Sequence, residues 1–596
     1  MTTTGNRFRK AALGPMAMSL MVLSLLLCSA SVIRAQEGSD PQHRVHIDFN
    51  RWHDYDEIKA DLLRLEDAYP RFLTYESIGT SQGGRDMMLM TINNPETGPE
   101  MSKAAMFIDA NMHGNEIQGG EVCLYTIWYL MENYGRIDKV TQLVDERVFY
   151  IMPTVNPDGR DHFMDGTGSG ARTGHVPVDN DNDGLFDEDG PNDLNGNGTI
   201  EQIRKYVPGE GNLRISHLDP RILEPVPQGE HGDWVILGQE GFDDDGDGRV
   251  NEDPVGGYDP NRNWGSDWQP DYIQGGAMDY PFQIPEARAE NDFLMAHPNI
   301  AGVQSYHNSG GMILRGPGAN WYGEYPATDL VAYDELGRNG ARMLPYYRYI
   351  VLWDSLYTVH GGFIDWTNDG LGIISFSNEL WARGQYFNSP DLQRQQEDPE
   401  SPISRQRASY FFDDHLEFGD QYIEWAEYEH PQFGTVELGG WKKTYGRVPP
   451  RFMNEELCHR NMAFTLYQAD ELPLMEMGDA AVERIGGNVY KVRLDLTNPK
   501  VAPTITARAA GNNVVPPDLL TVEGADVISA GWVANKFMPG PSTMIDQNDL
   551  SRILIRNGHP GRTTRTIEYL LRGSGTTTIR YTSVKGGTVE TRVVLR

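Results

Sequence analysis

An apolar run from Ala104 to Ala110 (AAMFIDA) gives way to His113-Gly114-Asn115-Glu116, and a helical pattern from Ile117 to Tyr134 follows directly. So short and apolar a run reads as a strand buried on both faces, which requires a sheet covered by helices. The tetrapeptide then stands at the strand's end, where an imidazole and a carboxylate three residues apart can turn toward one ion. Nitrogen with oxygen is a donor set that suits zinc. Of the fifteen histidines, only His113 has a glutamate three residues on. By itself the pair is also what an ordinary surface turn opening a helix would show.

The same alternation continues along the chain. Helical spacing recurs at Asp56 to Ala68, Glu286 to Ala296 and Asp329 to Met343, and strand-like runs at Met87 to Ile92, Val148 to Met152, Ile300 to Tyr306 and Gly372 to Phe376. Helices interspersed with buried strands predict an α/β domain with helices on both faces of a parallel or mixed sheet. A helix near Asn454 to Ala469 closes it, giving a domain span of 42–470. Beyond Met477 the pattern changes to short runs separated by Gly, Pro and Asn. Val489 to Leu496, Thr504 to Ala509, Thr566 to Leu571, Thr577 to Val584 and Val589 to Leu595 read as strands of a β-sandwich over 478–596.

At 596 residues the chain exceeds one ordinary core. Arg7, Arg9 and Lys10 precede an apolar stretch from Met16 to Cys28, so residues 1–35 read as a signal peptide cut before Gln36, for a secreted or periplasmic protein. Losing that segment takes the formal charge from -34 to -38, because it holds four Lys and Arg and no acid. So acidic a chain does not attract nucleic acid, and no later run is long enough to span a bilayer. Cys123 and Cys458 remain after cleavage, either as a pair or as two buried thiols.

Between Gly159 and Gly257, Asp, Asn and Gly dominate and periodicity fades, marking 160–257 as an insertion. Three segments share one spacing: Asp179, Asp181, Asp183 with Gly184; Asp193, Asn195, Asn197 with Gly198; Asp243, Asp245, Asp247 with Gly248. Oxygen side chains at positions 1, 3 and 5 with glycine at 6 form the start of a calcium loop. Position 12 departs from it, with Gly190, Arg204 and Pro254 where a bidentate glutamate is wanted. A solvated acidic loop is the alternative. Gln385 to Ser409, mixed in charge and broken by three prolines, reads as a second insertion.

In order, the chain also holds Asn156-Pro157-Asp158-Gly159, Asp259-Pro260-Asn261-Arg262-Asn263-Trp264, Ser305-Tyr306-His307, Leu356-Tyr357, Gly361-Gly362-Phe363-Ile364-Asp365-Trp366 and Phe376-Ser377-Asn378-Glu379-Leu380. Together with HGNE, this set resembles the zinc carboxypeptidase family, over residues 52 to about 470. The resemblance implies a mixed eight-stranded sheet with the metal site at strand ends. It implies zinc held by His113, Glu116 and His307, with Asp259 orienting the first imidazole and Glu379 as general base. Asn261 and Arg262 match the residues that hold a C-terminal carboxylate, Tyr357 the tyrosine that closes over it, and Ile364 the position that sets side-chain preference. An apolar residue there favours neutral or apolar C-termini. Arg204 is the candidate for the oxyanion arginine, among Arg160, Arg172, Arg214 and Arg221 in the same stretch. Asn115 stands where one branch of the family carries a substrate-binding arginine. The activity so implied is a carboxypeptidase acting on peptide or protein C-termini. The rival readings are an amide hydrolase of the peptidoglycan-trimming kind on the same fold, and a non-catalytic binding protein with a vestigial site.

Overall fold

The computed structural model describes residues 43–179, 184–244, 246, 248, 250–251, 254–383, 394–395, 397–398, 401, 404–535 and 543–596. Ile47–Arg596 form one unit, and the residues up to His46 another. The predicted signal peptide and most of Gln385 to Ser409 lie outside the described residues.

The eight-stranded sheet runs in the order β1 (Leu73–Thr80), β2 (Asp86–Ile92), β4 (Val148–Met152), β3 (Ala105–Ala110), β9 (Ile300–Asn308), β12 (Ile374–Leu380), β10 (Met312–Arg315) and β11 (Arg348–Val351). β4, β3, β9 and β12 are mutually parallel, and every residue of β3, β4 and β9 is buried, as expected for strands covered on both faces. Helices supply the cover: α1 (Tyr55–Ala68), α2 (Gln118–Asn133), α3 (Asp138–Glu146), α4 (Pro157–Met164), α5 (Pro285–Ala296), α6 (Ala327–Met343), α7 (Phe363–Asp369) and α8 (Asn454–Asp470). α1 starts where Asp54 and Glu57 cap each other's backbone N–H, at 2.8 and 3.1 Å. Cys123 in α2 and Cys458 in α8 are buried free thiols.

The Asp-rich insertion is less irregular than its composition predicts. β5 (Gln202–Gly211), β6 (Leu213–Ile215), β7 (Leu223–Pro225) and β8 (Gly232–Gln239) join β13 (Tyr422–His430) and β14 (Gly434–Trp441) in a second sheet, ordered β13-β14-β5-β8-β6-β7. Two segments far apart in sequence thus build one accessory sheet, over a small core of Ile203, Val250, Val436 and Leu438.

The C-terminal region is a β-sandwich. One sheet holds β15 (Glu476–Met477), β17 (Val489–Asn498), β22 (Thr563–Arg572), β19 (Asp526–Val533) and β20 (Thr543–Met544), with β16 (Ala481–Gly486) on β17; the other holds β21 (Arg552–Ile555), β18 (Asp518–Glu523), β23 (Gly575–Ser583) and β24 (Gly587–Leu595). Burial along β17 alternates strictly, and Val492, Leu494 and Leu496 meet Leu520, Ile579 and Tyr581 from the other sheet. Thr504 to Ala509 is not the predicted strand. Thr506 accepts the Ala509 N–H at 3.1 Å and starts a short helix, Ala507–Asn512.

That helix seats the sandwich on the catalytic domain. Asp329 at the start of α6 accepts the Ala507 and Arg508 N–H groups at 2.7 and 2.9 Å, and Arg508 pairs with Asp369 at 3.1 Å. Lys585, buried, donates to the carbonyls of Leu371 and Gly372 at 3.0 and 3.1 Å. Burial pushes its pKa down from 10.5 to about 7. Between those values the unfolded chain holds a proton that the folded chain gives up, so this lysine makes stability rise with pH. From pH 7 to 10, wild type should gain on the order of 2–4 kcal/mol relative to Lys585→Met, read from urea midpoints of the two proteins. Parallel pH profiles would show that the buried ammonium keeps its proton.

Candidate active site

β3, β9 and β12 are neighbours, and the site lies at their C-terminal ends, where helix-covered parallel strands leave a crevice. β3 is followed by Asn111, whose φ of +56° turns the chain and whose amide donates to the His113 and Gly114 carbonyls at 2.7 and 3.0 Å. His307 is the penultimate residue of β9, and Glu379 lies directly opposite it on β12.

His113, Glu116 and His307 converge. The two imidazole Nδ1 atoms are 3.1 Å apart, and Glu116 Oε2 lies 3.0 Å from the first and 2.9 Å from the second. A tetrahedral zinc ion with ligands at about 2.0–2.2 Å wants its donor atoms roughly 3.3–3.6 Å apart, so the donor set fits with small adjustment. Among the described residues this is the one group of three or more His, Cys, Asp or Glu whose ligand atoms gather within 4.8 Å. Burial opposes charge on Glu116, yet the two histidines hold its carboxyl well below the ordinary value; on His113 burial is outweighed by Glu116 and Asp259, which raise its pKa.

Asp259 lies behind the set. Its Oδ1 is 2.9 Å from His113 Nε2 and accepts the Asn261 N–H at 2.8 Å, while Oδ2 lies 3.3 Å from Arg172 and 3.7 Å from Arg262. This leaves His113 Nδ1 facing Glu116 and His307, the orientation a ligating imidazole needs.

A cavity of about 200 Å³ opens over these residues, lined also by Asn261, Arg262, Tyr357, Ile364 and Glu379. The segments carrying the first four are tied together. Asn261 Oδ1 accepts the Phe363 N–H at 2.8 Å, Trp264 N donates to the Gly361 carbonyl at 3.0 Å, and the Arg262 guanidinium lies 6.0 Å from the Tyr357 ring centre. Tyr357 is 48% exposed, at the cavity mouth. Burial and the nearby Glu116 carboxylate push Glu379 up to about 7.

Arg204 is not in the site. It lies in β5, pairs with Glu437 at 2.6 Å and is sandwiched between Trp234 and Trp425, with ring centres 4.5 and 4.3 Å away. Of the five candidates for the oxyanion role, Arg172 is the one at the cavity; its carbonyl accepts the Gly114 N–H at 2.7 Å and its guanidinium lies 2.9 Å from His113 Nε2. Arg160 is buried beneath, bonded to Glu121 and to the His53 and Ile117 carbonyls, and Arg214 and Arg221 pair with Glu224 and Asp219. Arg447, which the sequence reading did not single out, also lines the cavity.

Of the calcium candidates, Asp181, Asp183, Asp245 and Asp247 lie outside the described residues. Asp179, Asp193 and Asp243 each accept the N–H of the sixth-position glycine, at 3.1, 2.8 and 3.1 Å, and Gly184, Gly198 and Gly248 all have positive φ. In the second loop the amides of Asn195 and Asn197 donate to Glu201.

Residues 58–187 and 235–401 match the family profile described as zinc carboxypeptidase, and 474–594 match a domain of unknown function. Carboxypeptidase D of Anas platyrhynchos is 34% identical over 124 residues, 21% of this chain and 9% of that protein. Carboxypeptidase B of Astacus astacus is 34% identical over 113 residues, 19% of this chain and 35% of that protein. An inactive metallocarboxypeptidase, ECM14 of Saccharomyces cerevisiae, is 33% identical over 114 residues, 19% of this chain and 26% of that protein. The matched stretch is thus about a tenth of carboxypeptidase D and about a third of carboxypeptidase B.

The convergence of the three donors yields a direct test. Wild type should bind about one zinc ion per chain, and His307→Ala should retain under about a tenth of that after dialysis, with its far-UV spectrum unchanged. Equal zinc in the two proteins would separate this cluster from the metal.

Proposed function

Because this chain belongs to the zinc carboxypeptidase family, we propose that it hydrolyses the C-terminal peptide bond of peptides or proteins, with zinc held by His113, Glu116 and His307. One observation carries the reading: Asn261, Arg262 and Tyr357 line the same cavity as Glu379 and those three donors, so a bound C-terminal carboxylate sits one residue from the bond to be cut. Zinc in such a site supplies Lewis acidity, polarising the scissile carbonyl and making water a competent nucleophile near neutral pH.

The protein's own residues do the rest. Arg262 binds the carboxylate through charge-assisted hydrogen bonds and Asn261 adds another, which fixes the register of the peptide. Arg172, in place of Arg204, donates to the carbonyl oxygen as negative charge grows there. Glu379 takes the proton from the attacking water and passes it to the departing amine, so one water is added across the C–N bond. Ile364 gives the cavity an apolar wall, which favours neutral or apolar C-terminal residues over Lys or Arg. Residues 1–35 support export of the chain.

A peptide with a free C-terminus should be cut at least about a hundredfold faster than its C-terminal amide, since the amide lacks the partner of Arg262. Glu379→Gln should keep its zinc and lose nearly all turnover. Equal rates on acid and amide would favour the amide hydrolase, and a zinc-loaded wild type inert toward every free acid would favour the binding protein.

We further propose that the three Asp-anchored loops bind calcium and order the segment that carries Arg172 toward the site. The repeated Asp-to-glycine turns support this. Removing calcium with a chelator that leaves zinc in place should expose residues 159–257 to protease and lower kcat, both reversed by added calcium. Indifference of both readouts from nanomolar to millimolar calcium would leave the loops as acidic surface.

A further inference from the structure

Residues 357–362 carry Tyr357, Val359 and Gly362 to the cavity, and the backbone bonds that hold them cluster just after the tyrosine. The Tyr357 N–H reaches back to the Leu352 carbonyl at 3.2 Å, the Val359 N–H donates to the Gly318 carbonyl at 2.8 Å, and the Gly361 carbonyl accepts from Trp264. The His360 N–H donates to the Gln274 side chain at 3.0 Å. Glycine permits two of these approaches. A Cβ on Gly318 would strike Asp365 and the Val359 carbonyl, and one on Gly361 the Arg262 carbonyl. Burial changes at the same place: Tyr357 and Thr358 are exposed, whereas Val359 to Phe363 are buried.

His360 is a buried imidazole that the hydrolysis described above does not use. Its Nδ1 lies 2.8 Å from Asp267 Oδ2, and its ring stacks on Trp321, with centroids 4.6 Å apart and planes at 15°. Trp321 Nε1 donates to Asp267 Oδ1 at 3.1 Å, so one carboxylate holds both rings. The indole is 64% exposed; the stack and the hydrogen bond seat it, rather than apolar burial. Asp267 has a φ of +50°, a conformation that Asp tolerates and most residues avoid. The grip comes from two directions. Asp267 and Gln274 follow Trp264, whereas Gly318 and Trp321 lie on the turn after β10, and both stretches close on His360, three residues from Tyr357.

We propose that Asp267, His360 and Trp321 form a clamp that aims Tyr357 over the C-terminus of a bound peptide. This deepens the carboxypeptidase reading of the cavity and rests on it. With Val359 to Gly361 held from two sides, Tyr357 and Thr358 form a short tip, and the tyrosine closes by turning its own side chain rather than by moving the loop. A short tip loses little entropy when the peptide arrives, so the clamp lowers KM. None of the three side chains lines the cavity, so they are positioning residues.

Kinetics and proteolysis of the zinc-loaded full chain test this. Trp321→Ala, at an exposed position, raises KM for a free-acid peptide about fivefold with a smaller change in kcat, and Trp321→Phe, which keeps a stacking ring, recovers part of the loss. In a Tyr357→Ala background the same Trp321→Ala substitution has no further effect on KM, because the side chain it aims is gone. Chymotrypsin cuts Trp321→Ala after Leu356 or Tyr357 at least about threefold faster than wild type, while the urea midpoints of the two proteins agree. An equal KM penalty with and without the Tyr357 side chain overturns the proposal, for the cluster then only braces the cavity wall at Val359 and Gly362. Unchanged KM and unchanged cleavage in Trp321→Ala overturn it as well. Both results leave the carboxypeptidase reading in place. A wild type inert toward every free acid removes that reading, and the clamp's role falls with it.

Discussion

The carboxylate of Asp259 meets four groups at once: His113 Nε2, the Asn261 N–H, Arg172 and Arg262. These belong to three stretches of chain far apart in sequence, around residues 113, 172 and 259–262. Burial opposes the charged form, but His113 and Arg262 hold the Asp259 pKa well below its ordinary value, so the charge persists inside the protein. One buried anion therefore fixes the face His113 turns toward Glu116 and His307 and the positions of two arginines that line the cavity. A neutral side chain there would leave two guanidiniums and an imidazole crowded together with one counter-charge fewer.

Much of this was legible in the sequence because it is local. Strands buried on both faces leave long apolar runs, so Ala104 to Ala110 and Val148 to Met152 were readable to within a residue. His113 and Glu116 stand in a short turn after a buried strand, where their position along the chain sets their position in space, whereas Asp259, His307 and Glu379 were legible through the ordered motifs that resemble the family. Arg172 was legible in neither way. It hangs on a long Asp- and Gly-rich loop, and the bond that places it, Gly114 N–H to its own carbonyl, is a backbone contact that leaves no trace in residue type. The accessory sheet was hidden for a related reason. Arg204 meets Glu437 across 233 residues, and β5 carries Pro208 and Gly209, which weaken any strand pattern. Thr504 to Ala509 failed in the other direction, a β-rich composition whose Thr506 acts as a helix cap instead.

The first insertion and the stretch before residue 450 thus build one accessory structure. The stretch after residue 160 contributes the loop that carries Arg172 and four strands; the stretch before residue 450 contributes β13 and β14 and runs on through residues 442–450. Arg204, between two indole rings and paired with Glu437, belongs to the joint between them rather than to catalysis. Lys443 ties residues 442–450 back to the loop through the Gly168 carbonyl. β5 and β14 join the Asp-rich stretch to the segment that follows β14.

The sandwich reaches the same cavity by another route. α7 begins at Phe363 and Ile364, which stand at the cavity end where Asn261 accepts the Phe363 N–H, and it finishes at Asp369, which pairs with Arg508 and whose carbonyl accepts from Asn512. A helix of seven residues is too short to hold itself in water, so its two ends must be fixed from outside. The catalytic loop fixes one end and the sandwich the other. Burial and the neighbouring Asp369 carboxylate also push Asp365 up to about 8, and its oxygens accept the Gly318 N–H at 3.2 and 3.0 Å. The sandwich therefore contributes to the cavity wall that carries Ile364, because the helix presenting that residue is anchored on it.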